Sequence, residues 1–180
     1  MLIKEDYLSR YKDEWSQEDI DKTADDVAQG AIKYGMNRMD PNKKIVFDMK
    51  EWLRLDGESG PYIQYTHARI CSLVRKFEQD VSENDIDWSL LTHDSEKALM
   101  VHLSLFNWSM FKSLEAYKTS GICNYIYDLA KLFNTFYHDC PIGKLEDTKL
   151  KASRLALANA VRGALAQGLG LLGVTAPEKM

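Results

Sequence analysis

The chain has 180 residues, of which 45% are hydrophobic and 28% charged. That is enough for one globular domain with a real core, and too apolar for a disordered chain. The net charge of −4 argues against strong non-specific affinity for nucleic acid, so any phosphate binding has to come from a local basic patch. Cys71, Cys123 and Cys140 are odd in number and show no C-x-x-C pair, which suits a reducing compartment better than a disulfide framework.

No apolar run approaches the ~18 residues of a membrane span. Residues 1–6 carry no apolar h-region, so a signal peptide is not expected and a cytoplasmic location is. Residues 1–15 are polar with scattered aromatics and read as a linker or loose helix. Ser16 with Asp19 resembles a capping box, and Ile20, Ala24, Val27, Ala28, Ala31 and Ile32 then recur on one face of a helix over 17–35. Gly35 reads as its stop. Asp40-Pro41-Asn42 predicts a turn, Lys43 to Asp48 a short extended piece around Ile45-Val46-Phe47, and 49–55 a short helix.

Pro61 opens a helix over 61–79, at a first turn where its missing N–H costs nothing. Helices follow over 94–117 and 120–138, with Trp108 and Phe111 expected in the core. A loop over 139–148 leads to a last helix over 149–172 that Gly173 closes. The sum is an all-α bundle of five to six helices.

The 61–79 helix carries the chemistry. At about 100° per residue, Ile63, Ile70, Val74 and Phe77 share an arc of about 60°, which is the buried face. Tyr62, Tyr65, Arg69 and Lys76 share a second arc, roughly 110–120° away. Two rings beside a guanidinium and an ammonium suit single-stranded RNA. Bases stack on tyrosine, and cations meet phosphates. The competing reading buries both tyrosine rings against a neighbouring helix with their hydroxyls in water.

The run Phe47-Asp48, then Gly57-Glu58-Ser59-Gly60-Pro61-Tyr62-Ile63-Gln64-Tyr65-Thr66-His67-Ala68-Arg69, resembles a signature of arginyl-tRNA synthetases. Ala31-Ile32-Lys33-Tyr34, Arg154-Leu155-Ala156-Leu157, Asn159-Ala160-Val161-Arg162 and the terminal Pro177-Glu178-Lys179-Met180 are similar to further stretches of that family. Asn159 stands where the family usually has aspartate.

The resemblance implies a C-terminal anticodon-binding domain over 46–180, preceded over 1–45 by a linker and helix that follow a catalytic domain. It implies that Tyr62, Tyr65 and Arg69 face the anticodon loop of tRNA-Arg, that Tyr137 reaches it from the helix before the final loop, and that Met180 sits by its bases. The family's H-I-G-H-like and K-M-S-K-S-like motifs do not occur, so the chain is expected to be a fragment that is not itself catalytic. No cofactor is expected in it, and ATP and magnesium are expected for the whole enzyme. The expected partners are the anticodon stem-loop and the enzyme's own catalytic domain, with the protein a monomer.

Alternatives are a free-standing helical module that binds RNA or protein, and an anticodon-binding domain of another specificity. No metal is expected, because His67, His93, His102 and His138 lack ligand spacing with the cysteines. His67 reads as a packed, hydrogen-bonded residue, and Ser59 as a helix cap. Glu51, Asp56 and Glu58 read as a solvated loop, and the run Lys144, Lys149, Lys151, Arg154 as a wet surface that could meet phosphates.

Overall fold

A computed structural model of the protein describes residues 14–78 and 81–180, together with Ile3 and Leu8. Among them are seven α-helices and no strand: α1 (Gln17–Asn37), α2 (Met49–Trp52), α3 (Gly60–Phe77), α4 (Asp94–Ser104), α5 (Phe106–Glu115), α6 (Ser120–Asp139) and α7 (Thr148–Leu171). The all-α class read from the sequence holds. The reading of 1–15 falls mostly outside the described residues.

The helices begin where side chains can accept from their first free N–H groups. Ser16 accepts from Asp19 N, Asp48 from Lys50 N and Glu51 N, Ser59 from Tyr62 N, and Asp147 from Lys149 N and Leu150 N. At Ser16 the capping box is incomplete. The Asp19 carboxylate takes the Ser16 hydroxyl at 2.7 Å. A complete box opens α4, where Glu96 returns a bond to His93 N at 2.8 Å. α7 ends in a Schellman turn: Val174 N donates to Leu169 O and Gly173 N to Gly170 O, with Gly173 at φ +68°, a conformation glycine adopts without strain.

Three expectations are corrected. The helix read over 94–117 is two, because Leu105 N turns back to His102 O at 3.1 Å in a tighter i−3 bond. Residues 43–48 form no strand, since a lone β-prone run has no partner to pair with; Phe47 instead sets its ring edge-on to Trp52, with centroids 4.8 Å apart. Gly35 does not stop α1, which runs on to Asn37. It makes room for Trp52, and a Cβ there would lie 2.5 Å from Trp52 Cε3.

The core lies where α3, α6 and α7 pack on one another. Ile63 and Ile70 come from α3, Ile126, Leu129, Phe133 and Phe136 from α6, and Leu157, Val161, Leu165 and Leu169 from α7, all fully buried. Each such side chain contributes about 1.5–3 kcal/mol by leaving water. Tyr34 of α1 is also fully buried, and its hydroxyl donates to Cys123 O at 3.2 Å. A smaller cluster joins Ile20, Ala24 and Val27 of α1 to Ala68 of α3 and to Met180.

Trp108 and Phe111 do not join the core. They are 59% and 55% exposed, and Leu114 is 69% exposed. α5 is apolar on more than one side, so its pattern does not choose a face; Phe106 and Met110 are the side chains that pack inward.

α1 and α3 meet at Gly30 and Gly60. A Cβ on Gly60 would fall 2.3 Å from the Gly30 carbonyl oxygen, an obstacle of backbone that cannot swing aside. Gly60→Ala is expected to cost about 1–3 kcal/mol, towards the upper end, by forcing the two helices apart. An unfolding midpoint in urea equal to that of the parent protein would contradict this account of the crossing.

Candidate nucleic-acid interface

One face of α3, the C-terminal part of α6, the loop after it and the last residues of the chain enclose an open cleft of about 880 Å³. Tyr65, Arg69 and Lys76 line it from α3, Tyr137 from α6, Lys144 from the loop, and Lys179 and Met180 from the chain's last residues. Arg75 lines it too, so five cations face a single carboxylate side chain, Glu178. A local basic patch therefore exists on a chain of negative total charge.

Aromatic surface and cation meet inside it. Arg69 Cζ lies 4.9 Å from the Tyr65 ring centroid and 5.5 Å from that of Tyr137, within cation–π range of both. At the rim Lys76 Nζ and Lys151 Nζ lie 5.2 and 4.7 Å from the Phe77 ring. Tyr137 is 41% exposed and is backed by Phe133. Tyr65 is half-buried and leans on the smaller cluster. Stacked bases need such rings, open on one side and supported on the other.

The wall made by the last residues is tied down along the back of α3. Gln64 Nε2 donates to Thr175 O at 2.8 Å and to Asp26 O at 3.0 Å. His67 Nδ1 donates to Pro177 O at 2.9 Å, so the ring's other nitrogen has no proton when the imidazole is neutral. Burial lowers the His67 pKa and favours that neutral form, although the Pro177 bond opposes the shift. Arg75 Nη2 donates to Glu178 O at 3.2 Å, and Lys33 Nζ to Gly173 O at 2.7 Å.

Five of the six side chains singled out in the sequence, namely Tyr65, Arg69, Lys76, Tyr137 and Met180, come together here. Met180 does so with its side chain largely buried, at 8% exposed. Tyr62 lies elsewhere. It packs against the main core beside Tyr127, and its hydroxyl accepts from Asn134 Nδ2 at 2.8 Å. Its place on the same arc of α3 did not reveal that α6 covers that end.

The remaining readings divide. Ser59 caps α3, and His67 is packed and bonded, as the sequence suggests. Arg54 answers Asp56 and Glu51 on the surface, at 2.9 and 3.3 Å. His138 sits exposed beside Asp139, while Cys140 is buried against Ser95. Arg154 is not part of a wet basic surface: its Nε binds Glu96 Oε1 at 2.6 Å, with both side chains largely buried. Arg75 and Asn134 lie in none of the runs that carry the resemblance, and Lys179 lies in the terminal run without being singled out.

This fold and cleft define an all-α module with a basic, aromatic-walled cleft, and comparison with known proteins gives it a family. Residues 63–180 match the DALR anticodon binding domain, and the chain belongs to that family. It is 58% identical over 178 residues to the arginine–tRNA ligase of Bdellovibrio bacteriovorus, covering 99% of this chain and 30% of that protein. It is 39% identical over 170 residues to the arginine–tRNA ligase of Methanosarcina barkeri, covering 93% of this chain and 30% of that protein.

Among solved structures, the arginyl-tRNA synthetases of Thermus thermophilus and Plasmodium falciparum superpose with TM-scores of 0.86 and 0.85, at 30% and 29% identity. Each covers 99% of this chain, which spans 30% and 32% of theirs. The chain thus spans about 30% of the length of the relatives it matches. Among the described residues no helix is long and apolar enough to cross a membrane.

Proposed function

We propose that the chain is the anticodon-binding part of an arginine–tRNA ligase and that the α3–α6 cleft receives the anticodon loop of tRNA-Arg. The observation that carries this is a basic cleft walled by Tyr65 and Tyr137 with Arg69 between α3 and α6. Unpaired bases lie against the two rings, and Lys76, Lys144 and Lys179 meet the phosphates. Met180 lines the floor. The ligation of arginine to tRNA belongs to a catalytic domain in the part of the relatives that this chain does not span, and ATP and magnesium belong there as well. The place of action is the cytoplasm.

The domain's part in the reaction is positional. Grip on the anticodon converts the meeting of the acceptor end with a remote active site into a step within one complex. A second reading, a protein-interaction module, has one observation in its favour, the exposed Val101, Trp108 and Phe111 on α4 and α5.

Titration of the chain with tRNA-Arg and with an anticodon-swapped copy separates the two. The parent RNA is expected to bind more tightly, and log affinity is expected to fall linearly with log salt, by about 0.7 for each phosphate held. Equal affinity for both RNAs together with a flat salt response would end the anticodon reading.

A further inference from the structure

Arg69 is the least exposed of the five cations in the cleft, and its bonds run to the protein. Nη1 donates to Asn134 Oδ1 at 3.0 Å, and Nη2 to the Tyr65 hydroxyl at 3.2 Å. Its guanidinium lies against the rings of both Tyr65 and Tyr137. Two of five N–H donors and much of the charge are already engaged before any ligand arrives. Lys76, by contrast, is exposed at the rim.

Asn134 completes the arrangement. It does not line the cleft, but its amide group is held in one orientation: Nδ2 donates to the Tyr62 hydroxyl at 2.8 Å and to Thr66 Oγ1 at 3.3 Å. With both donors directed to oxygens of α3, Oδ1 is the end left to face Arg69. The Arg69 guanidinium can only donate, so it fixes this choice, and the Tyr62 hydroxyl accepts from the amide nitrogen.

We propose that Asn134 is a positioning residue for RNA binding, which anchors Arg69 as a bracket between Tyr65 on α3 and Tyr137 on α6, so that Arg69 sets the two stacking walls rather than gripping a phosphate. The inference rests on the anticodon-cleft reading for its consequence, though not for its geometry. It gives Tyr62 a role one step further out, as the hydroxyl that holds the amide nitrogen of Asn134 in place.

The test has an arm with RNA and an arm without. In titrations of tRNA-Arg over a range of salt, Asn134→Leu and Arg69→Gln are each expected to weaken binding about tenfold and to leave the slope of log affinity against log salt unchanged. Lys76→Gln, which removes a phosphate contact of the proposed cleft, is expected to lower that slope by about 0.7–0.9. If Arg69→Gln lowers the slope as Lys76→Gln does while Asn134→Leu keeps full affinity, Arg69 is a phosphate ligand and the proposal is wrong.

In the arm without RNA, the Arg69 Nε–Hε resonance of the free protein is expected to be shifted by the two rings. It is expected to move to the position of a solvent-exposed arginine in Asn134→Leu and in Asn134→Ala, with the thermal melt retained. An unmoved resonance overturns the proposal whatever the RNA does. Failure of Tyr65→Ala and Lys76→Gln to affect RNA binding, with the resonance moving as expected, would refute the cleft reading and leave the bracket standing.

Discussion

Arg154→Ala is expected to lower the free energy of unfolding by about 3–5 kcal/mol, because it strands a buried carboxylate. The Glu96 side chain is 1% exposed and Arg154 12%, with Nε to Oε1 at 2.6 Å. Glu96 also accepts from His93 N, so it cannot turn away to water without opening the first turn of α4. Removing both charges costs less than removing one. Glu96→Gln combined with Arg154→Ala is therefore expected to be more stable than Arg154→Ala alone, while keeping an acceptor for the cap. Urea denaturation of the parent and the two variants checks this. A single variant within 1 kcal/mol of the parent would mean that the pair behaves as a surface contact. The effect also reaches the cleft: Arg154 Nη1 lies 3.5 Å from the Pro141 carbonyl, and Pro141 begins the wall formed by Pro141, Ile142, Gly143 and Lys144.

The second large effect is on RNA. Removing both rings with Tyr65→Ala and Tyr137→Ala is expected to cost about 2–6 kcal/mol of tRNA affinity, at 1–3 kcal/mol for each stacked base. Phenylalanine at both positions keeps the stacking faces but removes the Tyr65 hydroxyl that accepts from Arg69, so that variant is expected to bind between the parent and the alanine pair. Titration at fixed low salt measures both, and the thermal melt reports whether the alanine variant stays folded. A folded alanine pair that binds within threefold of the parent, a difference of about 0.7 kcal/mol, would show that the rings are not where bases lie. Tyr62→Ala is a poor probe of the same question, since its ring packs on the core and its hydroxyl accepts from Asn134.

The helices are legible because their apolar residues repeat with a helical period and because caps announce some starts, as at Ser16 and Ser59. The cleft was half legible. A helical wheel states which residues share a side of α3, and Tyr65, Arg69 and Lys76 do line one cleft. It cannot state which neighbour covers which turn, so Tyr62 was grouped with them although α6 packs over it. α5 defeated the same method for the opposite reason, since its apolar residues occupy too many sides to select one. Arg154 and Gly35 belong to a third kind. Their roles are fixed by single partners far along the chain, Glu96 and Trp52, and one sequence does not reveal such pairings. Tyr137 and Met180 came from the family resemblance alone, and both line the cleft.

The gathering of five cations in one cleft leaves the rest of the surface more negative than the total of −4 suggests; α1 alone carries Glu18, Asp19, Asp21, Asp25 and Asp26. An arriving polyanion is pushed off most of this molecule and drawn to one side of it, so it feels a turning force before it touches anything. That force acts over about one screening length, roughly 8 Å at physiological ionic strength. Added salt therefore costs the protein its aim as well as its hold, and collisions in the wrong orientation, ordinarily turned back at a distance, become part of the traffic.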